Sequence, residues 1–212
     1  MSFLNNPDQA LAEAQKAQNV IAECNYLLAQ GLKTMAATLD LQPWFWEPAV
    51  NEVPQDDLFP LTIRPVGFLT GTGYLPLSDS RHIFATRNPL AVSPRVGDAI
   101  LVAHAVFNLA LEDLDMEELE DLEAVFRLKP GPALLRVHLY KVSQAAPDYA
   151  TLEDLWNDTA DYGEEPGWDQ SGTEAMRVWR GDFDLAEFLC DPKVLAEAVK
   201  GRLAEEIPAS VL

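Results

Sequence analysis

Carboxylates are too many to select a catalytic pair, whereas histidines and cysteines are few. The chain has three histidines, His82, His104 and His138, and two cysteines, Cys24 and Cys190. Neutral imidazole is the commonest metal ligand and the side chain that titrates nearest neutrality, so these residues set the first question. There is no His-Glu-x-x-His spacing, which would place two imidazoles and a general base on one helix face. His104 and His138 fall in runs that read as central strands, where a buried, hydrogen-bonded imidazole is expected. Cys24 has no histidine near it in sequence, and no Gly-x-Ser-x-Gly nucleophile elbow occurs. Arg81 and His82 follow Asp79 closely, but neighbours in sequence show no triad geometry.

The remaining motifs weaken on inspection. Asp158, Gly163 and Asp169 stand at the spacing of calcium-loop positions 1, 6 and 12. Positions 3 and 5 are Ala160 and Tyr162, which supply no carboxylate. Gly71-Thr-Gly73 reads as a turn, because neither Gly-Lys-Ser/Thr nor a helix start follows to present amides to a phosphate. Arg180-Gly-Asp182 matches an integrin-recognition tripeptide but reads as a turn or strand end before Phe183. Asn157-Asp-Thr159 matches a glycosylation acceptor, though nothing else suggests secretion. No catalytic residue, no cofactor-binding residue, no cofactor and no metal ligand is therefore assigned.

Composition narrows the partners. The 212-residue chain carries 34 acidic and 15 basic residues, a formal charge of -19. Such charge repels nucleic-acid phosphate and anionic lipid, so neither is expected as a direct partner, whereas a basic protein suits it. It is also the composition of salt-adapted proteins. An apolar fraction of 48% is that of an ordinary globular chain. Two distant cysteines make neither a disulfide framework nor a zinc cluster. No basic-then-apolar leader opens the chain, and no apolar run reaches the roughly 18 residues of a membrane span. A reducing cytoplasm is the expected compartment.

These residues must be positioned by elements that the pattern predicts in order. Asn6-Pro7-Asp8 reads as a helix start. Ala10, Ala14, Ala17, Ile21, Cys24, Leu28, Leu32, Met35 and Leu39 then share one face, and Gly31 is a candidate break. Residues 41–65 read as a proline-rich aromatic linker carrying Trp44-Phe45-Trp46. Short strand-like pieces lie in 61–86. Ala99 to Phe107 reads as a strand covered on both sides, although its polar residues also fit a helical stripe. Leu111 to Phe126 reads as an acidic amphipathic helix, and Leu134 to Val142 as a strand with one wet face. A short helix over 151–157 is expected, with Thr151 as N-cap and Asp154 completing a capping box. A strand over 174–180 and a last helix from Asp191-Pro192 to Pro208 close the chain.

The expected fold is α+β: a mainly antiparallel sheet covered by a long N-terminal helix and a C-terminal helix. Residues 1–40 form a helical extension, 41–65 the linker, and 61–212 the α+β domain packed with that helix as one globular unit. The leading functional expectation is a non-catalytic protein-interaction or assembly protein. Trp44 and Trp46 are its candidate partner anchors. Ala17, Ile21, Cys24, Leu28, Leu32 and Met35 are its candidate self-association residues, giving a homo-oligomer through the N-terminal helix. Two alternatives stand beside it: an acidic inhibitor occupying the nucleic-acid-binding site of a basic partner, and a cytoplasmic enzyme whose site has no recognisable motif.

Overall fold

The computed structural model describes residues 6–47, 80–106, 131–159, 166–170, 173 and 175–205. In chain order these form α1 (Pro7–Leu39), β1 (Gln42–Glu47), β2 (Ser80–Ala85), β3 (Ala99–Val106), β4 (Leu134–Val142), α2 (Leu152–Asn157), β5 (Gly167–Gln170), β6 (Met176–Asp184), α3 (Leu185–Cys190) and α4 (Pro192–Ala204). The strands make one six-stranded sheet in the order β1-β2-β3-β4-β6-β5. Every pairing is antiparallel, so the class is α+β.

The sheet has a covered apolar area on each face, which is why β3 shows no polar alternation: all of its residues are buried. Alternation along β3 sends Leu101, Ala103 and Ala105 to one face and Ile100 and Val102 to the other. On the first, face A, Leu135, Val137, Leu139 and Trp179 pack against Leu28, Leu32, Met35 and Leu39 of α1, Phe188 of α3, and Leu195 and Val199 of α4. On the second, face B, Tyr140, Val142, Met176 and Val178 pack against Leu152 and Leu155 of α2.

Helix α1 starts as expected: the Asn6 side chain accepts from the Gln9 N–H at 3.2 Å, and Pro7 is the first residue. It ends at Asp40, whose φ of 55° is left-handed and whose N–H donates to the Ala36 and Ala37 carbonyls. Aspartate tolerates that conformation better than most side chains. Gly31, the candidate break, lies inside the helix. A Cβ there would stand 2.8 Å from the Phe188 ring, so the glycine allows α3 to approach closely. The cover that α1 provides is short: Leu28, Leu32, Met35, Ala36 and Leu39 are buried, and no described side chain of 7–27 is.

Three further expectations change. Residues 42–47, read as linker, form edge strand β1. Pro43 fits there because an edge strand can leave an outward amide unused, and a register shift between Pro43 and Phe45 accommodates Trp44 as an extra residue. Strand β6 continues to Asp184, so Arg180-Gly-Asp182 is strand interior and no turn. Its glycine is needed because the Trp179 indole lies where a Cβ would be. Helix α4 ends at Ala204, ahead of Pro208. The strand-like pieces of 61–77 and the acidic helix of 111–126 lie outside the described residues.

Local chemistry fixes which half of face B is covered. In the connection from β2 to β3, Asp98 accepts from Arg87 Nε at 2.8 Å, from Arg87 Nη2, and from the Arg95 N–H at 2.8 Å. The Val92 and Pro89 carbonyls of that connection accept from the first amides of α2, Leu152 and Glu153. Thr151 and Asp154 complete the expected capping box, with bonds of 3.1 and 3.0 Å. Helix α2 is thereby held over one half of face B.

Candidate functional site

The other half of face B carries polar residues, assembled by strand register from four strands. In one row Arg81 of β2 stands opposite His104 of β3, His104 opposite Arg136 of β4, and Arg136 opposite Asp182 of β6. In the next row His138 of β4 stands between Val102 and Arg180. Directly opposed side chains of an antiparallel pair have Cβ atoms about 5 Å apart, and diagonal ones about 7–8 Å. Three guanidiniums, two imidazoles and the Asp182 carboxylate are therefore brought together on this half of face B.

Asp182 organises the cluster. Arg136 Nε donates to its Oδ1 at 3.1 Å, and Arg180 Nη2 to its Oδ2 at 2.9 Å, so two forks meet one carboxylate. Burial alone would raise the Asp182 pKa, but hydrogen bonds from Arg180 and Arg136, with their charges, hold it below the usual carboxylate range. His138 responds in the opposite sense. Burial first, then the positive charges of Arg180 and Arg136, push its pKa down to about 4, against a smaller upward pull from Asp182. At neutral pH it is an uncharged imidazole beside guanidiniums, suited to hydrogen bonding.

The three histidines do not meet. His82 pairs in register with Ala103, which places it on face A, while His104 and His138 lie on face B. All three are buried, as expected for core imidazoles. Burial, with the nearby His104 adding to it, lowers the His82 pKa to about 3. Among the described residues no group of three or more His, Cys, Asp or Glu side chains is placed to hold a metal ion.

The sequence-predicted interaction residues separate into distinct places. Trp44 is half-buried and meets the Trp156 ring edge-on, with centroids 5.2 Å apart, so it packs on the chain's own face B. Trp46 pairs in register with His82. Leu28, Leu32 and Met35 are 1%, 0% and 0% exposed and belong to the face A core, which leaves them no surface for a second copy. Ala17 is exposed and Cys24 half-buried, upstream of that core, and Ile21 lies between them on the same helix. Sequence reasoning missed Arg136, Arg180 and Asp182 as one cluster. The available signal was polar alternation in both strands, but only the register brings 136, 180 and 182 together.

No helix among the described residues is long and apolar enough to cross a membrane. Compared with protein-family models, with curated proteins and with solved structures, the chain matches none.

Proposed function

We propose that this chain is a non-catalytic assembly protein that associates with a second copy of itself through the upstream part of α1. The observation that carries the reading is the contrast along that helix. From Leu28 to Leu39 its apolar face is spent on the core, whereas Leu11, Val20 and Leu27 are 52%, 59% and 39% exposed. The positions that continue the buried face upstream are Cys24, Ile21, Ala17, Ala14 and Ala10, at spacings of three and four. Residues 7–27 would extend the helix by roughly 30 Å beyond its packed part. A free helix of that length is marginal in water, and a partner helix is the usual remedy. Small side chains allow a close approach, and this segment carries only Asp8, Glu13, Lys16 and Glu23 as charged residues. Pairing there would meet little of the repulsion expected of a chain at -19.

The face B cluster is consistent with the same reading. A general base works best with a pKa near the operating pH, and His138 is pushed down to about 4. Arg136, Arg180 and Asp182 satisfy one another, which suits a cluster that fixes strand register. Co-purification with differently tagged copies tests the function. Recovery of the untagged chain, lost in Ala17→Glu, is expected. Recovery instead of a basic nucleic-acid-binding protein, displaced by DNA, would replace this reading with that of an inhibitor.

A further inference from the structure

Among the described residues, one guanidinium on face A is buried with two of its three nitrogens unbonded. Arg177 of β6 is 1% exposed, and neither its Nε nor its Nη1 has a hydrogen-bond acceptor. None of the ion pairs among the described residues includes it. Arginine keeps its charge at every pH a folded protein meets, so deprotonation cannot relieve the burial. A lone buried charge is strongly disfavoured unless an opposite charge joins it.

Among the described residues the surroundings supply a second cation, Lys141, and no free carboxylate. In register Arg177 stands between Lys141 of β4 and Gln170 of β5, and Lys141 stands opposite Ala99. Ala99 belongs to the face A core, so Lys141 and Arg177 share that face. Lys141 Nζ donates to the Leu203 and Glu205 carbonyls, both at 2.9 Å. Two of its three donors are used there, and one is left. The Glu205 carboxylate is already engaged: Oε1 accepts from Arg202 at 2.5 Å and Oε2 from Trp168 Nε1 at 3.2 Å. Asp169 pairs with Val178 and so lies on face B. Among the described residues, only the four-residue β5 separates β6 from the sheet margin.

We infer that Arg177, with Lys141 beside it, is the recognition group of a site for a small oxyanion, a carboxylate or phosphate group, on face A at the β5 side of the sheet. A guanidinium in a low-dielectric setting binds oxyanions by charge-assisted hydrogen bonds stronger than neutral ones. The inference uses no residue of 7–27 in α1, and its test is independent of the assembly reading.

Calorimetric titration of the full wild-type chain with inorganic phosphate, and separately with acetate, tests the inference, with sodium chloride of equal ionic strength as reference. A saturable heat with either anion is expected. Saturation with acetate marks a carboxylate ligand, and saturation with phosphate alone marks a phosphate ligand. The melting temperature should rise by about 3 to 6 °C at ten times the dissociation constant. Phosphate also stabilises proteins generally by exclusion, but that effect does not saturate. Arg177→Met should lose the saturable response and, in chloride alone, melt no lower than wild type, because it removes an uncompensated buried charge. No saturable heat with either anion overturns the inference. So does an Arg177→Met chain that melts well below wild type or fails to fold in chloride, since that marks an internal carboxylate already paired with Arg177.

Discussion

His82 and His138 make the fold acid-sensitive in a defined window. An imidazole in the unfolded chain titrates near 6.5, whereas in the fold the two values are pushed down to about 3 and about 4. Between those limits the unfolded chain binds more protons than the folded one, so stability falls as pH falls. The contribution is complete above the unfolded value and is lost progressively towards the folded values. One pKa unit corresponds to about 1.4 kcal/mol. At pH 5, about 1.5 units below the unfolded value, each histidine costs about 2 kcal/mol. Together they remove about 4 kcal/mol, a large part of the roughly 5–15 kcal/mol that holds a domain folded. Asp182 does not contribute between pH 7 and pH 5, because its lowered pKa matters only as pH falls through the ordinary carboxylate range. Urea denaturation at pH 7 and pH 5 reads the effect directly. Wild type should lose about 4 kcal/mol between the two conditions, and His138→Gln or His82→Gln about 2 kcal/mol each. Charge effects common to an acidic chain cancel when variant and wild type are compared. A flat wild-type profile, or a variant that keeps the whole loss, would refute the reasoning.

Packing makes further predictions. Gly31→Ala places a Cβ 2.8 Å from the buried Phe188 ring. The strain should outweigh the gain in helix propensity and lower stability by about 1–2 kcal/mol in thermal denaturation; a stabilised variant would show that α3 yields freely. Asp98→Ala removes the acceptor shared by Arg87 and the Arg95 N–H. It should cost about 3 kcal/mol and speed hydrogen exchange at the first amides of α2, whose acceptors lie in the same connection; unchanged exchange would mean that the connection is held otherwise.

Local signals were the legible ones. Asn6-Pro7, Thr151 with Asp154, and Asp191-Pro192 mark helix starts because capping acts over three or four residues. Leu134 to Val142 was legible as a strand from its period of two. Its face was misread as wet, since His138 is 6% and Tyr140 1% exposed through contacts made far along the chain. Strand β1 was obscured by Pro43, which signals a break in sequence but sits comfortably on a sheet edge. Gly31 was ambiguous for a similar reason: a glycine permits a bend and a close approach alike, and only the position of Phe188 decides. The α1 face reads as one continuous stripe, and sequence alone does not show where the sheet beneath it ends. The face B cluster depends on register across four strands, which no local pattern encodes.

Sedimentation equilibrium of the full chain across the micromolar range is the most direct test of the assembly reading. Wild type should sediment as more than a monomer. Ala17→Glu should shift it towards monomer while leaving the melting temperature unchanged, because Ala17 is exposed and outside the core and glutamate is a good helix former. A wild-type chain that is monomeric throughout the range, or an Ala17→Glu chain that associates as wild type does, would contradict it.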